Sequence, residues 1–228
     1  MNVRKLITLL VLSAIVVLGF FVYLSGEYYL LFVLTALFIC LPFIYRFENK
    51  KTTIEEIVLI SVVTTMAVVG RLIFASLPGT PVMAIIIYAA VFFGKETGFI
   101  IGALTALLSN FFLGHGPWTA FQIAAWGLIG FFSGFFRFSR NRSKANIIIF
   151  VLWGAFTAVL FSAIMDINSV FFYYRKFSFS RYFAVIAVAW PVTLQYVIAN
   201  VVFLAVFYLP AVNIFGRLRQ KYGIGINK

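Results

Sequence analysis

The sequence predicts an all-helical integral membrane protein. Of its 228 residues, 64% are hydrophobic, 19% are aromatic and only 11% are charged. A soluble core of this size cannot hide so much apolar surface, whereas a bilayer solvates it. The apolar residues also fall into long runs separated by short polar or basic segments, at 6–24, 28–45, 54–76, 82–93, 97–113, 118–136, 146–167 and 182–209. We therefore expect eight spans.

The first two runs predict an N-terminal transmembrane hairpin within residues 1–50, and the remainder, 51–228, predicts a six-helix domain. Arg4 and Lys5 precede the first run as in a signal peptide, but the run is long and only Gly26 and Glu27 separate it from the next, so we interpret it as a retained helix. The lone cysteine, Cys40, lies within the second run and is interpreted as a small apolar filler.

The later runs carry local signals of their own. Thr52 or Thr53 can cap the third run, with a glutamate three residues on. The run 82–93 is short for a crossing of roughly 20 residues, so it must be tilted, broken or shielded by protein. Two stripes of glycine, Gly94-x3-Gly98-x3-Gly102 and Gly130-x3-Gly134, predict close helix packing within the bundle. Pro191 predicts a kink whose freed carbonyl Gln195 or Asn200 can satisfy.

The net charge of +12 would suggest a nucleic-acid partner in a soluble protein, but here the basic residues lie between apolar runs and indicate topology, so no nucleic-acid partner is predicted. With the N-terminus in the cytoplasm, only Arg175, Lys176 and Arg181 lie in outer loops. Both termini are then cytoplasmic. The residues gathered on the cytoplasmic side are Arg4, Lys5, Arg46, Lys50, Lys51, Lys95, Arg137, Arg140, Arg142, Lys144, Arg217, Arg219, Lys221 and Lys228.

Under this topology, polar and aromatic side chains converge near the outer rim, which predicts a substrate-binding site there. Arg71 and Asp166 lie at similar depth and can pair, so a structural ion pair and a ligand-contacting role both remain open. The predicted substrate-binding residues are Arg71, Asn110, His115, Trp118, Thr119, Gln122, Asp166, Asn168 and Tyr173.

Signatures of catalysis are missing from the sequence. It has no His, Cys, Asp or Glu cluster at metal-ligand spacing, no phosphate-binding glycine loop and no nucleophile beside a base. We therefore expect no enzyme activity, no metal and no cofactor. Without a nucleotide-binding motif, uphill transport would need energy from another subunit.

From about residue 54 onward, these features resemble the substrate-binding S component of an energy-coupling factor (ECF) vitamin transporter. The resemblance rests on the proline-containing turn after the first helix, the short second helix, the basic loop, and the run 94–119, which ends Ser109-Asn110-Phe111-Phe112-Leu113-Gly114-His115-Gly116-Pro117-Trp118-Thr119. It implies a six-helix bundle that binds its vitamin at the outer face. It also implies a multi-pass protein of the bacterial cytoplasmic membrane, partnered by a membrane coupling subunit and two cytoplasmic ATPases.

The end of that run is most similar to S components for cobalamin, so the resemblance implies cobalamin or a related corrinoid as the ligand. Riboflavin, a queuosine precursor or another heterocycle are the alternatives. His115 is interpreted as a hydrogen-bonding residue, with axial ligation of the corrinoid cobalt as the alternative. A stand-alone secondary carrier is a further alternative, although no internal repeat is visible.

S components dock their coupling subunit through small residues in an Ala-x3-Ala pattern on the first core helix. Here that pattern is only approximate, and the resemblance implies an interface at Ser61, Thr64, Thr65 and Ala67.

Overall fold

The regular structure of the described residues is all-helical, as predicted. The computed structural model describes residues 52–77, 79–136 and 144–223, with side chains from 147 onward in the last range, and single helical positions between 33 and 45. The predicted span 6–24, most of 28–45 and both termini lie outside the described residues. The helices of the bundle are α1 (Ile54–Ile73), α2 (Val82–Phe93), α3 (Lys95–Leu113), α4 (Trp118–Ser133), α5 (Lys144–Tyr174) and α6 (Phe179–Tyr222).

The described residues do not contain the eight predicted spans. Four helices are long and apolar enough to cross a membrane: Ile54–Ile73, Lys95–Leu113, Ile147–Tyr174 and Phe179–Tyr222. The helix α2 has only 12 residues, and every one of them except Ile85 is buried. It is therefore shielded by protein, one of the outcomes expected of so short an apolar run, and it contacts each of the other five helices.

Successive helices run in opposite directions. The turns at 74–81, 114–117 and 175–178 lie at one end of the bundle, which we call the upper end, and the junction at Gly94 lies at the lower end. The helix α1 begins where predicted, because Thr53 is its N-cap and its side-chain oxygen accepts a hydrogen bond from the backbone N–H of Glu56 at 3.3 Å. The Glu56 carboxylate, in turn, accepts a hydrogen bond of 2.5 Å from Thr97 at the start of α3.

The two C-terminal helices are longer than predicted, with 31 residues in α5 and 44 in α6. The predicted ends at 167 and 209 were wrong because they followed the apolar run, whereas a helix continues as long as its backbone hydrogen bonds do. Pro191 and Pro210 both lie inside α6. Asn200 does not serve a kink in its own helix: its Nδ2 donates to the backbone carbonyl of Gly154 in α5 at 2.7 Å and so joins the two helices.

The glycine stripes lie where α3 and α4 touch. A Cβ atom on Gly102 would lie 2.2 Å from the carbonyl oxygen of Trp126, and one on Gly130 would lie 2.1 Å from the carbonyl oxygen of Gly98. Contacts this short have no room for any side chain. Gly98, Gly102, Gly130 and Gly134 therefore pack helices within the bundle, as the sequence predicted, whereas a Cβ on Gly94 would meet nothing within 4 Å.

One described position of the N-terminal region also packs on this pair of helices. Cys40 is buried and forms a small apolar cluster with Phe99 of α3 and with Ala120, Phe121 and Ala124 of α4. It therefore fills space among apolar neighbours, as predicted.

Replacing Gly102 by alanine should destabilise the protein, because α3 and α4 must separate to admit the new methyl group. Overpacking of this kind costs about 1–3 kcal/mol. The matched control is Gly216→Ala in α6, where a Cβ would meet only the Phe92 ring edge at 3.9 Å. Thermal unfolding in detergent should show a lower midpoint for Gly102→Ala alone; equal midpoints for both variants would contradict this account of the seam.

Candidate functional site

A cavity of about 300 Å³ opens among the helices at the upper end of the bundle. One wall is the loop that joins α1 to α2, and all six helices contribute residues to the rest. The residues that line it are Arg71, Ala75, Leu77, Gly79, Thr80, Met83, Leu113, Gln122, Trp126, Phe161, Val192, Gln195, Tyr196 and Ala199. We call this space the upper cavity.

Arg71 is the only Lys, Arg, Asp or Glu side chain among the described residues that line the upper cavity. Its Nη1 donates to the hydroxyl of Ser109 and, at 2.8 Å, to Oδ1 of Asn110. The guanidinium carbon also lies 4.9 Å from the centre of the Trp126 ring, which is the geometry of a cation–π contact. Three helices thus hold this cation in place.

Asn110 connects Arg71 to the turn between α3 and α4. Its side chain is 1% exposed, and its Nδ2 donates to Oγ1 of Thr119 at 3.0 Å and to Oε1 of Gln122 at 2.8 Å. Thr119 Oγ1 also accepts from the backbone N–H of Gly116 at 3.2 Å. Every hydrogen-bonding group of the Asn110 amide side chain is therefore engaged, which is what a buried amide requires.

Aromatic rings form the inner part of the cavity. Trp126 and Phe161 stack with ring centroids 5.6 Å apart and an interplanar angle of 18°. Tyr196 meets Phe161 edge to face at 5.5 Å and 77°. Such a wall suits a flat, apolar ring system.

The loop between α1 and α2 lies close to α6 at Gly79. Gly79 has a φ of +133°, and a Cβ atom there would lie 2.2 Å from the Cβ of Ala199. Only glycine fits this position, both for its backbone conformation and for the space left by α6. The loop thereby becomes a wall of the upper cavity.

Comparison with known proteins adds a family to this geometry. The sequence model of the family described as "ECF-type riboflavin transporter, S component" matches residues 51–217. The chain belongs to the ECF S-component family. Searches of the curated proteins and of the solved structures each returned no match.

As an S component, the chain is a multi-pass protein of the cell membrane, a substrate-binding subunit for a vitamin and a partner of ECF membrane and ATPase subunits. The match begins at residue 51, so it covers the predicted six-helix domain and leaves out the predicted N-terminal hairpin. It does not support the cobalamin type that the turn 114–119 suggested. It favours the riboflavin alternative instead.

The predicted substrate-binding residues separate into three groups in this S component. Arg71 and Gln122 line the upper cavity, and Asn110 and Thr119 lie directly behind them. The remaining five do not line the cavity. His115, Trp118 and Tyr173 are exposed, whereas Asp166 and Asn168 are buried on α5. The structure does not bring these five residues together.

His115 faces its own turn. Its ring meets Phe111 edge to face with centroids 4.6 Å apart, and its Nδ1 lies 3.4 Å from Oγ1 of Thr119. The sequence predicted that His115 bonds to backbone or to an amide of the ligand; among the described residues its partner is instead the side chain of Thr119, one of the residues that hold Asn110.

Arg71 and Asp166 do not form an ion pair, although both are among the described residues. The similar depth of the two residues did not predict their contact, because the Arg71 guanidinium is hydrogen-bonded to Ser109 and Asn110 instead.

Among the cavity residues that sequence reasoning missed are its aromatic and amide side chains, Trp126, Phe161, Gln195 and Tyr196. Three are aromatic, and in a chain with 29 phenylalanines, 11 tyrosines and 4 tryptophans nothing separates ring residues that face a cavity from those that face lipid. Gln195 was noticed but assigned to the proline kink. An amide within an apolar span was itself the available signal for a polar site.

The four residues expected to dock the coupling subunit divide between two faces of α1. Ser61 and Thr65 are exposed, and their hydroxyls bond back to the carbonyls of Ile57 and Ser61 at 2.9 and 2.8 Å. Thr64 and Ala67 are 2% and 0% exposed and lie inside the bundle. A docking partner on α1 therefore reaches only the first pair.

The contact between Arg71 and Asn110 can be measured with a double-mutant cycle. Truncating either residue to alanine leaves the other with an unmet polar group, so the two losses should overlap. Residues in direct contact typically couple by about 0.5–3 kcal/mol. We expect coupling of that size in the free energy of unfolding for Arg71→Ala with Asn110→Ala.

The reference cycle pairs Arg71→Ala with Asp166→Ala, which share no hydrogen bond, and its coupling should be the smaller of the two. A larger coupling to Asp166 than to Asn110 would show that the charge is balanced by the acid and not by the amide.

Proposed function

We propose that this S component binds riboflavin in the upper cavity and hands it to an ECF coupling subunit for ATP-driven import. The observation that carries the proposal is the match of residues 51–217 to a family described by its riboflavin transport. The geometry of the cavity supports it in three respects: size, polarity and ring content.

Size favours a flavin over a corrinoid. Ligand pockets span roughly 300–1,000 Å³, and the upper cavity, at about 300 Å³, is at the small end of that range. A tricyclic isoalloxazine ring with a ribityl chain is a ligand of this scale. A corrin ring with its nucleotide loop is several times larger.

Chemistry supports the same ligand. The rings of Trp126, Phe161 and Tyr196 offer flat apolar surface to the tricycle, while Arg71 and Gln195 offer polar contacts to its carbonyl oxygens or to the ribityl hydroxyls. The aromatic wall is contributed by α4, α5 and α6, so a bound ring would bridge helices that follow one another in the chain.

The orientation we propose places the upper cavity at the outer face of the membrane. Lys95, Arg217, Arg219 and Lys221 all lie at the lower end of the bundle. The positive-inside rule then assigns that end to the cytoplasm. Vitamin would thus enter from outside, and the ATPases would act from the opposite side.

For the coupling subunit we propose the exposed face of α1 that carries Ser61 and Thr65. Both hydroxyls are already bonded to backbone carbonyls, so the face can meet either lipid or an apolar partner helix without stranding a polar group. The other two predicted positions, Thr64 and Ala67, lie on the opposite, buried face of α1 and pack the helix against the bundle.

The purified chain should bind riboflavin without ATP, because the cavity is formed by this chain alone, and it should bind cobalamin far more weakly. Quenching of flavin fluorescence measures the first, and competition by cobalamin measures the second. Displacement of riboflavin by equimolar cobalamin would contradict the assignment of the ligand.

Liposomes that contain only this chain should not accumulate riboflavin, whereas liposomes that also contain the coupling subunit and both ATPases should do so when ATP is supplied. Empty liposomes are the control for leakage. Uptake by the chain alone, driven by a sodium or proton gradient, would instead identify a secondary carrier.

A further inference from the structure

We propose that Gln122 presents its amide N–H₂ group, and not its oxygen, to the upper cavity, so that with Arg71 it selects a ligand edge made of hydrogen-bond acceptors. This inference rests on the proposed function, since it names which edge of the flavin enters this part of the site. The oxygen and the nitrogen of the Gln122 amide are similar in size, and the fold decides which of the two faces the cavity.

Arg71 sets the direction of these hydrogen bonds, because a guanidinium carries only donors. Whatever meets its Nη1 must accept, so the Asn110 amide is forced to turn its Oδ1 toward Arg71, at 2.8 Å. The Nδ2 of Asn110 consequently points the other way. It donates to Thr119 and, at 2.8 Å, to Oε1 of Gln122.

The orientation of the Gln122 amide follows in turn from that of Asn110. Its oxygen accepts a hydrogen bond from the Asn110 Nδ2, so its Nε2, the other atom on the same amide carbon, points away from Asn110. Gln122 lines the cavity and is half-buried, and its Nε2 donates to none of the described residues. The group left for a ligand is therefore a donor.

Arg71 supplies the second donor. Its Nη1 is occupied by Ser109 and Asn110, which leaves Nη2 and Nε, and neither can accept a hydrogen bond. A ligand that brought an N–H or NH₂ group to this wall would leave donors facing donors, since such a group has no lone pair to accept with. An unmet buried donor is costly, so the arrangement rejects such a ligand as strongly as it binds the complementary one.

A flavin meets this requirement along its pyrimidine ring, where a carbonyl oxygen lies beside an unprotonated ring nitrogen on two edges. Two adjacent acceptors match two adjacent donors. We therefore assign the pyrimidine end of riboflavin to the wall formed by Arg71 and Gln122, which leaves the ribityl chain to the polar groups elsewhere in the cavity, Thr80 and Gln195.

Gln122→Glu tests this polarity, because glutamate keeps an acceptor for Asn110 but turns a second oxygen into the cavity where the N–H₂ group was. The two ligands are riboflavin and an analogue that carries an amino group in place of one carbonyl oxygen of the pyrimidine ring. Gln220→Glu, at the exposed lower end of α6, makes the same chemical change away from the cavity and is the matched control.

Wild-type protein and Gln220→Glu should both prefer riboflavin. In Gln122→Glu, the affinity for riboflavin should fall about 10- to 100-fold, the range expected when a donor is replaced by a repelling acceptor. The amino analogue should lose much less or gain, so that the preference narrows or reverses. Thermal unfolding of both variants in detergent checks that each is folded.

Riboflavin binding by Gln122→Glu at wild-type affinity would overturn the inference and leave the proposed function intact, and so would an equal loss for both ligands, which is what a merely structural role predicts. Failure of the wild-type protein to bind riboflavin at all would overturn both. The two failures are therefore distinguishable.

Discussion

The arrangement of the upper end depends on one half-buried cation, Arg71. A charge inside an apolar bundle is costly unless polar groups surround it, and Arg71 obtains them from Ser109, Asn110 and the face of Trp126. Each of these groups lies on a helix other than its own. The need to solvate one guanidinium therefore ties the end of α1 to the end of α3 and to the middle of α4, and it does so next to the cavity where a ligand can complete the shell.

The seam between α3 and α4 makes that arrangement possible. Asn110 reaches Thr119 and Gln122 only because the two helices lie backbone to backbone, and that approach depends on Gly102 and Gly130, where no side chain fits. Glycines near the lower end thus set the distance over which hydrogen bonds form at the upper end. The close packing of α3 against α4 in this S component is therefore also what allows the hydrogen bonds beside the cavity to form.

The sequence predicted the helical class, the helix positions of α1 to α4 to within a few residues and the packing role of most of the glycines, because apolar runs and small-residue spacing depend on local chemistry. The ends of α5 and α6 could not be found that way. Asp166 closes the apolar run of α5 but not the helix, since its backbone bonds continue past a polar side chain to Tyr174.

For the site, sequence reasoning found the polar residues that form the hydrogen-bonded chain, Arg71, Asn110, Thr119 and Gln122, since polar side chains near the ends of apolar spans are rare and visible. It could not order them into a chain or tell which line the cavity, since both depend on contacts between helices far apart in sequence. It also overrated the turn around His115. Similarity at an exposed turn suggested a corrinoid, whereas the cavity below the turn has the scale of a flavin.

The central claim is that the upper cavity is where the vitamin binds. Blocking it tests this most directly, and the segment after α1 offers adjacent positions for the purpose: Ala75 and Ser76 are both exposed, but only Ala75 is among the residues that line the cavity. A tryptophan at position 75 can fill a large part of the space, so Ala75→Trp should abolish quenching of riboflavin fluorescence at concentrations that saturate the wild-type protein, while Ser76→Trp should bind as the wild type does. Undiminished binding by a folded Ala75→Trp variant would place the vitamin elsewhere and contradict the account.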